Sequence, residues 1–238
     1  RRSCKLFSKA LKPLPCWTLF PHPKYSSLTG LFGRINELSS SGSTNIPKLV
    51  LIDNGIHDEG GNYVNINVPI SIIGESRKHC IVMGGLLMKG KKKDDVNVSD
   101  LTLRDSKGSG VFGDDGASIH LDNVSVENSG RNGVAVWRTL CNTMKNCNVS
   151  HSKKSGLCVR YGGVVTIDSN GTTIHHNCKG GDSGHYGLHT GDFYSPGSIH
   201  LASSLTIETI SMNNGGGGNN GGKGTIKTIT NNAKEEKK

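Results

Sequence analysis

Aromatic side chains are scarce: Phe, Trp and Tyr make up 5% of the 238 residues, with only two tryptophans. A core of this size must then be filled by Val, Ile and Leu packed in regular layers rather than around a few large rings. No apolar run approaches the ~18 residues of a membrane-spanning helix. Acidic residues are missing from positions 1–36, where seven Lys and Arg stand before Glu37. The rest carries 21 basic against 19 acidic residues, so most of the formal +9 charge belongs to that first stretch. A nearly neutral body lacks the continuous basic footprint of a nucleic-acid surface, and nucleic acid is not expected as a partner.

Cysteine is present but not in the spacing of a metal knuckle. The seven cysteines form no Cys-x-x-Cys pair. Four Asn-x-Ser/Thr sequons, at Asn97, Asn123, Asn148 and Asn170, fall in strands and turns where a glycan would obstruct packing. Both observations lean toward an intracellular protein with reduced thiols. The basic, acid-free start keeps organelle targeting open, and a chain beginning at Arg1 keeps secretion open.

What the sequence does have is a motif that returns every 23 residues: Ser109-Gly110-Val111, Asn132-Gly133-Val134 and Ser155-Gly156-Leu157. Apolar pairs share the register (Leu101/Leu103, Val124/Val126, Cys147/Val149), each preceded by a polar residue: Asp100, Asn123 and Asn146. A fixed period of this length means stacked units, none of which buries its apolar face alone. Three short strands can be read within each unit by alternation, as in Ile119/Leu121, Val124/Val126 and Val134/Val136. The Asp/Asn column suits a left-handed bend at which stacked amides bond to one another. The units lack the helix and the Leu-x-x-Leu-x-Leu frame of a leucine-rich horseshoe. The expected fold is all-β: a single-stranded right-handed parallel β-helix of about seven coils, at the ~4.8 Å strand spacing.

Three segments are expected. Residues 1–27, with four prolines, read as a basic irregular arm. Residues 28–210 read as the β-helix, capped at its start by a short amphipathic helix over 28–38, where Leu28, Leu31, Phe32, Ile35 and Leu38 share one face. Residues 211–238 read as a Gly/Asn-rich excursion, a last strand over Thr225–Thr230 and a charged tail.

The runs Leu51-Ile-Asp-Asn-Gly-Ile-His-Asp, Ile70-Ser-Ile-Ile-Gly-Glu-Ser and Ile81-Val-Met-Gly-Gly, with the Asn-Gly-Val coils of 123–136, resemble the right-handed parallel β-helix proteins of the pectin-lyase-like superfamily. The resemblance spans about residues 28–210. It implies the fold and leaves the activity open, since such proteins include polysaccharide lyases, hydrolases and epimerases, viral spikes and the recognition domains of certain F-box ubiquitin-ligase subunits.

Candidate chemistry gathers on the third strand of each unit. The register sets out three outward columns: Phe112, Ala135, Cys158 and His189; Asp114, Trp137 and Arg160; Asp115, Arg138, Tyr161 and Asp192. An exposed Trp beside Arg and Tyr fits sugar-ring stacking and carboxylate pairing. The ligand-binding residues expected here are Asp114, Asp115, Trp137, Arg138, Arg160, Tyr161, His189 and Asp192. If the chain is a lyase, Arg160 or His189 is the candidate base, and Ca²⁺, held by Asp114, Asp115 and Asp192, is the only cofactor to consider. Tyr186-Gly-Leu-His-Thr-Gly-Asp192 resembles the Tyr-Gly-Phe-Asp-Pro-His-Asp signature of mannuronan epimerases but lacks the Asp-Pro step. The set Cys147, His151, His175, His176 and Cys178 does not assemble four tetrahedral ligands in this register, so no metal site is expected. The column Thr102, Ser125, Asn148 and Thr173 reads as a hydrogen-bonding ladder; Arg104 and Glu127 beside it break up any flat hydroxyl plane. The leading expectation is a module that recognises an extended polymer, most plainly a polysaccharide. The alternative is a non-catalytic protein-interaction scaffold.

Overall fold

A computed structural model of the chain describes residues 17–91, 93–114 and 116–229. The arm over 1–16, Asp115 and the charged tail lie outside the described residues.

Strands pair in parallel with partners one coil away, and the coil has three faces. The first face is a nine-stranded sheet running from Trp17–Phe20 through Leu49–Ile52, Ile70–Gly74 and Asp95–Ser99 to Ser198–Ala202 and Thr225–Ile229. The second face stacks Thr102–Arg104, Ser125–Glu127, Asn148–Ser150, Thr173–His175 and Ser211–Met212. The third stacks Val111–Asp114, Val134–Trp137, Leu157–Arg160, Leu188–His189 and Asn220–Gly221. In the early coils two long strands, Gly55–Ile66 and Cys80–Met88, run across both of these faces. The winding amounts to about 8 turns, close to the expected seven.

The 23-residue register holds residue by residue. Val134 pairs with Val111 and Leu157, and Val126 with Leu103 and Val149. The inward members of each strand form one continuous aliphatic column of buried residues. The glycine of the motif has a packing reason: a Cβ at Gly133 would collide with Val149 Cγ1 of the next coil. Glycine is therefore required by close approach, not by the backbone angle.

The corners are left-handed. Asp100, Asn123 and Asn146 have φ of 57°, 55° and 51°, and a second corner holds Asp105, Asn128, His151 and His176 at 53–62°. Asn and Asp tolerate this region better than other L-residues. The column bonds only in part: Asn123 Nδ2 donates to Asp100 Oδ1 at 2.7 Å, whereas Asn146 Nδ2 donates to Asp122 Oδ1 at 3.3 Å rather than to Asn123.

Helix α1 (Leu28–Ser40) buries Leu28, Leu31, Phe32 and Ile35 and packs on the strand Gly55–Ile66. Ser27 Oγ caps it by accepting from Gly30 N–H. The carboxylate of Glu59, on that strand, accepts from the Leu28 and Thr29 N–H groups at 2.6 and 3.0 Å and from Thr29 Oγ1 at 2.6 Å. An anion at the helix N-terminus thus ties α1 to the coil.

Two segments differ from expectation. The end of the supposed irregular arm is a strand, Trp17–Phe20, in register with Leu49–Ile52. Residues 211–224 are not an excursion but complete the last turn. There Asn214 accepts from Asn177 N–H and donates to Ile174 O, while Asn220–Gly221 pairs with Leu188–His189. Thr225–Ile229 adds the expected final strand.

Candidate functional site

The third face carries the candidate site. Parallel pairing puts Trp137 between Asp114 and Arg160, and Cys158 between Ala135 and His189, which reproduces the two columns read from the register. Because parallel strands lie about 4.8 Å apart, rings from neighbouring columns on adjacent coils touch. Phe112 and Trp137 meet edge to face at 4.7 Å, and Trp137 meets Tyr161 at 5.4 Å. An aromatic ladder therefore steps diagonally across three coils. Arg138 and Tyr161 sit at left-handed corners beside it, with the Arg138 guanidinium 5.5 Å from the Tyr161 ring centroid.

Exposure differs from the alternation pattern. Trp137 is half-buried, and His189, expected on an outward column, is only 4% exposed. The column does point away from the aliphatic core, but the eight extra residues that lengthen this coil fold over it. Tyr186 packs on His189 at 5.4 Å and His185 lies at 6.4 Å. Together they turn a flat face into a cleft of about 190 Å³, with Cys158 and His189 as its floor.

Three cations line this cleft, Arg131, Lys154 and Arg160, and among the described residues no carboxylate does. The histidines register that field. Burial and the nearby Arg160 guanidinium push His189 down to about 4, and His185 is also lowered, first by burial and further by Lys154 and Arg160. Both rings are neutral at neutral pH. Burial raises the Cys158 thiol, which stands 3.8 Å from His189 Nδ1, so the pair is a neutral thiol and a neutral imidazole rather than an activated nucleophile.

Three buried nitrogens at the cleft have no hydrogen-bond partner among the described residues: Trp137 Nε1, Arg160 Nε and His185 Nδ1. Buried polar groups are nearly always satisfied, and three of the six such side-chain atoms among the described residues lie at this cleft. Two larger concavities, of about 310 and 390 Å³, lie on the first face and beside α1, and neither is lined by Phe, Tyr or Trp.

The acidic members of the expected set are engaged elsewhere. Asp114 accepts from Arg138 at 2.7 Å. Asp192 accepts from Tyr194 N–H, Ser195 N–H and Ser195 Oγ, which hold its carboxyl below the usual range, and lies 3.9 Å from Arg160. Asp115, the third carboxylate considered for Ca²⁺, lies outside the described residues.

Arg131, Lys154 and His185 were not singled out from sequence, yet the register contains them. Each stands two positions before the motif glycine: Arg131 before Gly133, Lys154 before Gly156, His185 before Gly187.

Residues 84–233 match the family described as the right-handed β-helix region. The chain belongs to this family. The right-handed β-helix match begins beyond α1 and takes in the coils that build the cleft. The crystal structure of the Agl-KA catalytic domain is similar at 13% identity and a TM-score of 0.36, the match covering 92% of this chain and 49% of that one. The chain thus spans about half the length of that structure. No curated protein matches the sequence. Among the described residues of this right-handed β-helix, no helix is long and apolar enough to cross a membrane.

Proposed function

We propose that this right-handed β-helix is a recognition module for an acidic polysaccharide, which lies along the third face. The observation that carries the reading is the cleft: three cations, no carboxylate among the described residues, and three unpartnered buried nitrogens beside an aromatic ladder. Arg131, Lys154 and Arg160 would take carboxylate or sulfate groups, and the rings of Trp137 and Tyr161 would carry sugar faces. Binding rather than turnover fits the electrostatics. A His189 held near 4 is a weak general base at neutral pH, and Cys158 is not ionised.

Titration calorimetry with polygalacturonate, alginate and a sulfated glycan tests the reading. At least one should bind, with affinity falling as salt rises, and Trp137→Ala should weaken it at least tenfold. The reading fails if no acidic glycan binds, or if Trp137→Ala binds as the parent does. Growth of unsaturated-uronate absorbance on adding Ca²⁺ would instead promote the lyase version.

A second reading rests on the loop after His189, where Phe193 and Tyr194 form an edge-to-face pair at 75% and 92% exposure. Exposed aromatics of this kind anchor protein interfaces. A protein scaffold would lose its partner on Phe193→Ser/Tyr194→Ser and be indifferent to Arg160→Ala. The glycan module would show the reverse.

A further inference from the structure

On the second face, away from the cleft, three histidines from two adjacent coils meet. His151 and His176 occupy the left-handed corner that Asp105 and Asn128 hold in earlier coils, and their rings stack at 5.4 Å with an interplanar angle of 7°. His175, at the end of the strand Thr173–His175, stands with its Nδ1 2.8 Å from His176 Nδ1.

Hydrogen bonding fixes what His175 presents. Asn148 Nδ2 donates to Ser125 Oγ, and Asn148 Oδ1 accepts from Thr173 Oγ1, so the ladder sets the orientation of this amide. His175 Nε2 lies 2.8 Å from that same Oδ1 and must carry the proton. A neutral His175 then turns the lone pair of Nδ1 toward His176. Burial, with the neighbouring rings, lowers His175 and keeps it neutral. An imidazole oriented by donating its other N–H to a carbonyl is the usual support of a metal ligand.

We propose that His175 and His176 form a two-nitrogen clamp for a divalent transition-metal ion of tetragonal preference, copper(II) or nickel(II). At metal–nitrogen distances of about 2.0–2.1 Å, a 2.8 Å separation subtends about 86°. That is near the right angle of square-planar or octahedral coordination and well short of tetrahedral, so zinc(II) is disfavoured. The ion takes the place of the one proton now shared between the two Nδ1 atoms, and that proton moves to His176 Nε2 through water. Among the described residues no three His, Cys, Asp or Glu side chains converge into a cage. The protein therefore supplies two nitrogens, and water completes the shell. At His151, whose ring stacks on His176, Glu127 favours positive charge and Lys179 opposes it.

Calorimetry of the full chain with copper(II), nickel(II) and zinc(II) chlorides, each alone, tests this. One copper(II) or nickel(II) ion should bind per chain, with copper spectra showing two equivalent nitrogen ligands. His176→Gln, whose side chain is exposed, and His175→Gln should each weaken binding at least tenfold, and Lys179→Gln should tighten it severalfold. Arg160→Ala, in the cleft, should leave it unchanged, so failure here and failure of the glycan reading are separable. No binding below millimolar metal, full affinity retained in His176→Gln, or zinc(II) binding more tightly than nickel(II) would overturn the clamp.

Discussion

The second and third faces are built from the same repeat and carry polar side chains on their outer surfaces, yet they treat those groups in opposite ways. On the second face Ser125, Asn148 and Thr173 bond to one another across coils, and Arg104 pairs with Glu127 at 2.8 Å. Asn148 and Thr173 donate to the coil below, and the Ser125 hydroxyl donates to Glu127 in its own coil. On the third face the N–H groups of Trp137 Nε1 and Arg160 Nε find no acceptor, and His185 Nδ1, an acceptor while Nε2 faces Asp182, finds no donor. A saturated ladder adds to the stability of the coil and has little left for a ligand. A set of unmet polar groups weakens the fold locally and is kept where something outside the chain completes it.

The contrast predicts that changes in the cleft cost binding and changes in the ladder cost stability. The largest effect is expected from Lys154→Ala/Arg160→Ala, which removes two charge-assisted contacts and should weaken an acidic glycan by about 3–5 kcal/mol, with little change in Tm. Calorimetry beside a thermal melt reads both; a lowered Tm with intact binding would reverse the contrast. Next comes acid. In the folded chain His189 stays neutral down to about 4, while in the unfolded chain it takes a proton near 6.5. Its contribution is therefore complete above pH 6.5 and lost as pH falls toward 4, by at most about 3 kcal/mol. Denaturant midpoints across that window should fall, and His189→Gln should flatten the slope. A bound polyanion should raise the His189 pKa and hold the midpoint up.

Asn148→Ala should cost about 2 kcal/mol, since it deletes the residue that joins Ser125, Thr173 and His175. Glycan affinity should not move. The smallest effect belongs to Trp137→Phe, which keeps a ring in the ladder and loses only the Nε1 donor. It should weaken binding by about 1 kcal/mol, and an unchanged affinity would show that this nitrogen never meets the ligand.

How much of this was legible in the sequence depended on whether the period was intact. Between Leu101 and Arg160 the 23-residue spacing is unbroken, and side chains such as Trp137 and Arg160 could be placed side by side from their numbers alone. From Leu157 to Leu188 the spacing is 31, and there the reading lost the cleft. An insertion of unknown path could as well have left His189 open as covered it, and the spacing of 31 hid that His185 stands where Arg131 and Lys154 stand in earlier coils. The last turn was hidden for a different reason. Its Gly and Asn residues have the composition of a loose loop, whereas Asn214 bonds in register with Asn177, and Asn219 Oδ1 accepts from Asn214 N–H. The strand Trp17–Phe20 was masked by its proline neighbours Pro15 and Pro21. Composition describes a segment by itself, and in a coil a segment's structure is set by the turn beneath it.

The glycine at Gly133 nests against the valine of the following turn, and the same fit recurs at Gly110 and Gly156. One unit can therefore dock on a copy of itself. Duplicating a unit before residue 108 would lengthen the rod and leave the binding groove whole, because Arg131, Lys154 and His185 occupy three successive turns further on. A unit inserted between Arg131 and His185 would instead add a rung to the cleft, so that under the proposed glycan reading growth of the gene and growth of the ligand footprint would go hand in hand.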